Sequence, residues 1–182
     1  MNHRGFLSRI VLVLSGFAIL ACDIVRAANI LNYVESTRVH SAVVYVGTVS
    51  EVTLLGRNQF GISAKASVSD LTVVRGQPPA TGTASLRYSS YDDQTPVNDG
   101  GLQYRIRNHA CVLVFADSMQ DGSPSALWQG TPAEIIVRIE SLANSVDNMS
   151  DEDLDFNGIS SAERLVQLAL YKSLLTKLRP SP

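Results

Sequence analysis

The stretch SAVVYVGTVSEVTLL, Ser41 to Leu55, decides the fold. Its valines recur with a loose alternation, the spacing that puts side chains on one face of a strand and not of a helix. Gly47 interrupts the run, and a glycine inside a strand marks a bulge or a strong bend. GRNQ (56–59) turns the chain. FGISAKASVSDLTVV (60–74) then sets Ile62, Ala64, Ala66 and Val68 on one face, followed by Leu71 and Val73, so that the register shifts near Ser69 and Asp70. GQPPATG (76–82) stops the strand, because its prolines remove backbone donors and its glycines permit turns.

TASLRYSSY (83–91) alternates again through Ala84, Leu86 and Tyr88. A polar loop, DDQTPVNDGG (92–101), separates it from LQYRIRN, and CVLVFAD (111–117) is the most apolar strand candidate. Strands at hairpin-like spacing, an early bend and no intervening helix predict a small antiparallel barrel or sandwich over about 41–118. The period changes after MQDGSPSALWQG. Thr131, Pro132 and Glu134 have the order of a cap, a first-turn proline and a reciprocal acceptor. Ile135, Ile139, Leu142 and Val146 follow on one helical face. A second helix is expected after Gly158, opened by Ser160 and Glu163, with Leu168, Tyr171, Leu175 and Leu178 on its stripe and Pro180 at its end. The expectation is an α+β chain: a barrel followed by two helices over 131–179, in one domain from 28 to 182.

Ahead of that domain, Arg4 and Arg9 precede the apolar run Ile10 to Ala21, the layout of a secretory signal peptide. The run is well short of the roughly 20 residues that span a bilayer. AILACDIVRAAN (18–29) offers two cuts. Val25 and Ala27 suit ordinary cleavage after Ala27, which predicts a periplasmic or secreted protein. A cut before Cys22 would leave a lipid-anchored cysteine, the one route to a membrane, but Leu20 fits a lipoprotein signal poorly. Removing 1–27 takes away Arg4, Arg9 and Arg26 but only Asp23, leaving twelve basic against sixteen acidic residues, a net charge of −4. That balance argues against nucleic acid or anionic lipid as a partner. Either cut leaves Cys111 without a partner cysteine in its own chain, so the core and not a disulfide must hold the domain.

Few residues suggest chemistry. DLDFNGISSAER (153–164) has the spacing of a calcium loop at Asp153, Asp155, Asn157 and Gly158, but Arg164 stands where a bidentate glutamate belongs. The other reading is that Asn157 and Gly158 make a turn while Ser160 and Glu163 cap a helix. There is no G-x-S-x-G and no glycine-rich phosphate loop, and His40 and His109 stand alone. No cofactor is expected, with calcium as the single candidate ion. Scattered aromatics, including Tyr45, Phe115 and Trp128, are expected in the core.

The strand region is similar to the superfamily of netrin modules and tissue inhibitors of metalloproteinases. Gly47 with Val49, Val74 with Arg75 and Gly76, and Cys111 to Phe115 carry the likeness, over about Ala42 to Ser118. The resemblance implies an OB-type barrel and a leaning toward protein binding. The family's animal inhibitors act through a free amino-terminal cysteine, which neither cut would leave here. The resulting expectation is a non-enzymatic exported module with a protein partner in the cell envelope. The alternatives are a Cys22-anchored accessory of a bacterial secretion or conjugation machine, and a weak calcium-binding protein.

Overall fold

The computed structural model describes residues 38–58, 61–91 and 102–179. The signal region with Cys22 and Ala27, and the loop 92–101, lie outside them. Five antiparallel strands come first: β1 (Val43–Asn58), β2 (Gly61–Arg75), β3 (Ala84–Ser90), β4 (Cys111–Ala116) and β5 (Pro124–Gly130). They form one sheet in the order β3-β2-β1-β4-β5. Three helices follow, α1 (Pro132–Asp147), α2 (Asp151–Asn157) and α3 (Ser161–Leu178). The class is α+β. The sheet does not close, since β3 and β5 are its two edges. Two expectations are corrected here: strand structure runs on to Gly130 and not to about 118, and among the described residues three helices follow the strands where two were predicted.

β1 and β2 make the long hairpin that the alternation of Ser41–Leu55 predicts, pairing from Val44↔Arg75 to Asn58↔Gly61. The bend falls at Gly47, where the register slips between Val46 and Thr48. A Cβ on Gly47 would stand 2.6 Å from the Ser69 carbonyl oxygen and 2.7 Å from Val68 Cγ1. Only glycine lets the two strands approach so closely. Across the hairpin Asp70 takes a left-handed φ of 52°, so the bulge engages both strands.

The first half of β1, Val43 to Val49, and β4 are buried on both faces, and alternate residues feed two cores. Val43, Tyr45 and Val49 of β1 and Val112, Val114 and Ala116 of β4 meet Ala64, Ala66, Val68, Leu86, Ile106 and Met119 inside the curled sheet. Val44, Val46, Leu113 and Phe115 point the other way, to Ile135, Ile139 and Leu142 of α1 and Leu168, Tyr171 and Leu174 of α3. This is why CVLVFA has no polar alternation: a strand between two cores has no wet side. Phe115 anchors the second core, with Trp128 and Tyr171 edge-on at 5.9 and 6.4 Å between ring centroids.

The edge of β3 is capped by the segments leading to β4 and β5. Ser85 N–H donates to the Met119 carbonyl at 2.9 Å, Arg87 N–H to Gly122 at 3.0 Å, and Tyr104 N–H to Ser89 at 2.9 Å. LQYRIRN is therefore an edge cover, in parallel bridging contact at Gln103, and not a full strand.

Candidate functional site

The most distinctive surface is the far half of β1. Pairing with β4 ends at Thr48↔Cys111. Two further backbone hydrogen bonds follow, Val49 N–H to Ala110 at 2.9 Å and His109 N–H to Val49 at 2.8 Å. From Ser50 to Asn58, β1 has β2 on one side and, among the described residues, no strand on the other. In an antiparallel pair alternate residues turn their N–H and C=O groups outward. Among the described residues none pairs with the outward backbone groups from Ser50 to Gly56, so this stretch offers a row of donors and acceptors to a partner. It also exposes apolar side chains: Leu54 is 68% and Leu55 47% accessible, while Val52 tucks against the inner core. Glu51 and Arg57 are the arm's charged residues, and two further register shifts, at Val49/Glu51 and Leu54/Gly56, increase its twist.

Two open clefts collect the polar residues that chemistry would need, but their geometry is that of tethers. One, of about 390 Å³, is lined by His40, Ser41, Asp117, Ser123 and Ser125. Ser41 Oγ and Ser125 Oγ lie 2.8 Å apart, and Ser125 Oγ donates to the Phe115 carbonyl at 3.1 Å, which ties the lead into β1 to β5. Asp117 accepts from the Ser123 N–H at 2.7 Å and closes the turn between β4 and β5. The other cleft, of about 260 Å³, contains Arg107, His109, Thr131 and Glu134. There Glu134 accepts from the N–H and hydroxyl of Thr131, at 2.7 and 3.0 Å, and these bonds hold its carboxyl below the usual carboxylate range. The Gln129 amide accepts from Arg107 N–H at 3.0 Å and donates to the Arg105 carbonyl at 2.6 Å, pinning the loop before β4.

The stretch with calcium-loop spacing folds as a helix. Asp153 is the third residue of α2 and caps it: Ser150 donates to its carboxylate from the backbone N–H at 3.0 Å and from the hydroxyl at 2.7 Å. Those hydrogen bonds lower its pKa. At about 100° per residue, Asp155 projects roughly 200° away from Asp153. Asn157 closes the helix, donating from its side-chain amide to the Asp153 carbonyl, and its buried Oδ1 has no partner. Gly158 follows at φ 62° as a left-handed cap. A calcium loop gathers its first, third and fifth side chains around one point, and a helix disperses them. Among the described residues no group of three His, Cys, Asp or Glu side chains could hold a metal ion.

Cys111 is half-buried beside the second core, and burial pushes its thiol pKa up, the opposite of a reactive thiolate. Two guanidinium groups stand over the Trp128 ring, Arg38 at 5.2 Å and Arg138 at 5.7 Å from its centre. A polar junction, buried at Gln167 and Tyr171 and part-buried at Arg75, escapes the apolar pattern of the sequence. Arg75 donates to the Val39 and Ser41 carbonyls at 2.8 and 3.2 Å and reaches Gln167 Oε1 at 3.5 Å, while Gln167 donates to the Tyr171 hydroxyl at 2.9 Å. Its signal in the sequence is Gln167, a polar residue directly before Leu168 and four residues before Tyr171 on the apolar stripe of the last helix, and the structure buries it fully. Comparison with protein-family models, with curated proteins and with solved structures finds no match.

Proposed function

We propose that the chain is an exported, non-enzymatic interaction module, periplasmic or secreted after cleavage following Ala27, that binds another envelope or secreted protein. The observation that carries this reading is the edge of β1 from Ser50 to Gly56, along which no strand lies among the described residues and on which Leu54 and Leu55 are exposed. An extended segment of a partner laid along that edge would satisfy the outward backbone groups, and the leucines would supply apolar contact. The fold is read as an open, OB-like barrel of the netrin kind. A long bent β1 shared between β2 and β4 supports this, as does the parallel bridge of Leu86 to Gly122, which brings β3 toward the lead into β5. Nucleic acid is a poor fit, because Lys65 and Arg87 are both paired with Asp121, at 2.7 and 3.3 Å.

The test is affinity capture from an envelope extract with the wild-type protein and with Leu54→Ser/Leu55→Ser. A stoichiometric partner held by the first and released by the second is the expected result. No stoichiometric partner, or equal retention by both, overturns the reading.

A further inference from the structure

Among the described residues, nothing packs on the outer surface of the helical layer. α3 buries Gln167, Leu168, Leu170, Tyr171 and Leu174. At helical spacing its opposite face begins with Ala162, Leu165, Val166 and Ala169, all exposed, with Leu165 66% and Val166 58% accessible. This stripe of two turns carries no charge before Lys172. α2 leads into its N-terminal end through Gly158 and Ile159 and ends in a second exposed apolar side chain, Phe156, 65% accessible. An amphipathic helix normally shows water a polar face, so an apolar outer stripe marks a contact surface.

Charge identifies the occupant. From Ile139 to Glu163 there are seven acidic residues and no Lys, Arg or His, and Asp147, Asp151, Glu152 and Asp155 are exposed. Glu152 stands one turn before Phe156 on α2. An anionic bilayer would be repelled by that flank. A second copy of the chain, docked through the same patch in an isologous dimer, would bring two such flanks together. A cationic amphipathic helix satisfies both features, its apolar stripe on Leu165 and Val166 and its lysines or arginines over α2. We propose that this corner of α2 and α3 is a docking site for a basic amphipathic helix of a partner protein. The surface is separate from the β1 arm, so the two proposals can fail independently.

The probe is a fluorescein-labelled 14-residue peptide with leucines at helical spacing and lysines elsewhere, read by anisotropy. Two control peptides accompany it, one with glutamates for the lysines and one of scrambled leucine and lysine order. The expected result is saturable binding of the ordered Leu/Lys peptide alone. It is weakened at least tenfold by Phe156→Ser/Leu165→Ser/Val166→Ser and by Asp151→Asn/Glu152→Gln/Asp155→Asn, and unchanged by Leu54→Ser/Leu55→Ser. All three variants change exposed residues, and unchanged melting temperatures confirm that they fold. Equal binding of the control peptides, or full binding by either α2/α3 variant, overturns the proposal. So does dimerisation, or adsorption to phosphatidylglycerol vesicles, that the apolar variant abolishes.

Discussion

At the scale of single residues, two positions on the first hairpin set its shape. Gly47 allows the close approach of β1 to β2, and Asp70 accepts the left-handed backbone of the bulge opposite. A β-branched side chain in that conformation is strained by roughly 1–2 kcal/mol, whereas glycine is not. Asp70→Val is therefore expected to lower the unfolding free energy by about that amount and Asp70→Gly to leave it nearly unchanged, as chemical denaturation would show. Both features were legible: Gly47 as an interruption of the valine run, and the shift at Ser69 and Asp70 as a break in alternation. The D-x-D-x-N spacing was legible too, but spacing alone does not choose between loop and helix. Ser150, three residues before Asp153, is the N-cap of a capping box in which Asp153 is the reciprocal acceptor. Millimolar calcium is accordingly expected to leave the melting temperature unchanged. A rise of several degrees that Asp153→Ala removes would restore the calcium reading.

At the scale of elements, all three helices open on the same device. Thr131 with Glu134, Ser150 with Asp153 and Ser160 with Glu163 each make reciprocal hydrogen bonds. Each carboxyl is held below its ordinary pKa chiefly by bonds from the capping residue. A carboxyl depressed in the folded state stabilises fully above its unfolded pKa, about 4, and that contribution is lost as pH falls through the lower folded value. Helical circular dichroism should thus hold steady from neutrality to about pH 5 and decline below about pH 4. Ser160→Ala should cost about 1 kcal/mol at neutral pH, with less difference from wild type in acid. A difference that persists undiminished at low pH would contradict the capping account. The first and third caps stand out in the sequence because a long apolar stripe follows each. α2 does not, since its seven residues are too few to show a period. β5 hides for a related reason: PSALWQG begins with proline and has three adjacent apolar residues without alternation, so only its pairing with β4 makes it a strand.

At the scale of the whole molecule, the sheet is shared between two cores and reaches beyond both. The helices cover the part of the sheet made by the start of β1, β4 and β5, and the inner core fills the curl toward β2 and β3. The far half of β1 serves neither core beyond Val52, and Leu54 and Leu55 stay in water. Hydrophobic patterning shows which residues can be buried; it cannot show that pairing with β4 ends at Cys111 and leaves Ser50 to Gly56 of β1 with no strand on one side among the described residues, because that depends on where another strand ends. That edge is the basis of the functional proposal. It is tested most directly by amide hydrogen exchange on the complex captured from an envelope extract, compared with the free protein. Outward amides between Ser50 and Gly56 should exchange quickly in the free protein and be protected in the complex. Protection confined to other surfaces, with Ser50 to Gly56 exchanging as in the free protein, would contradict the account.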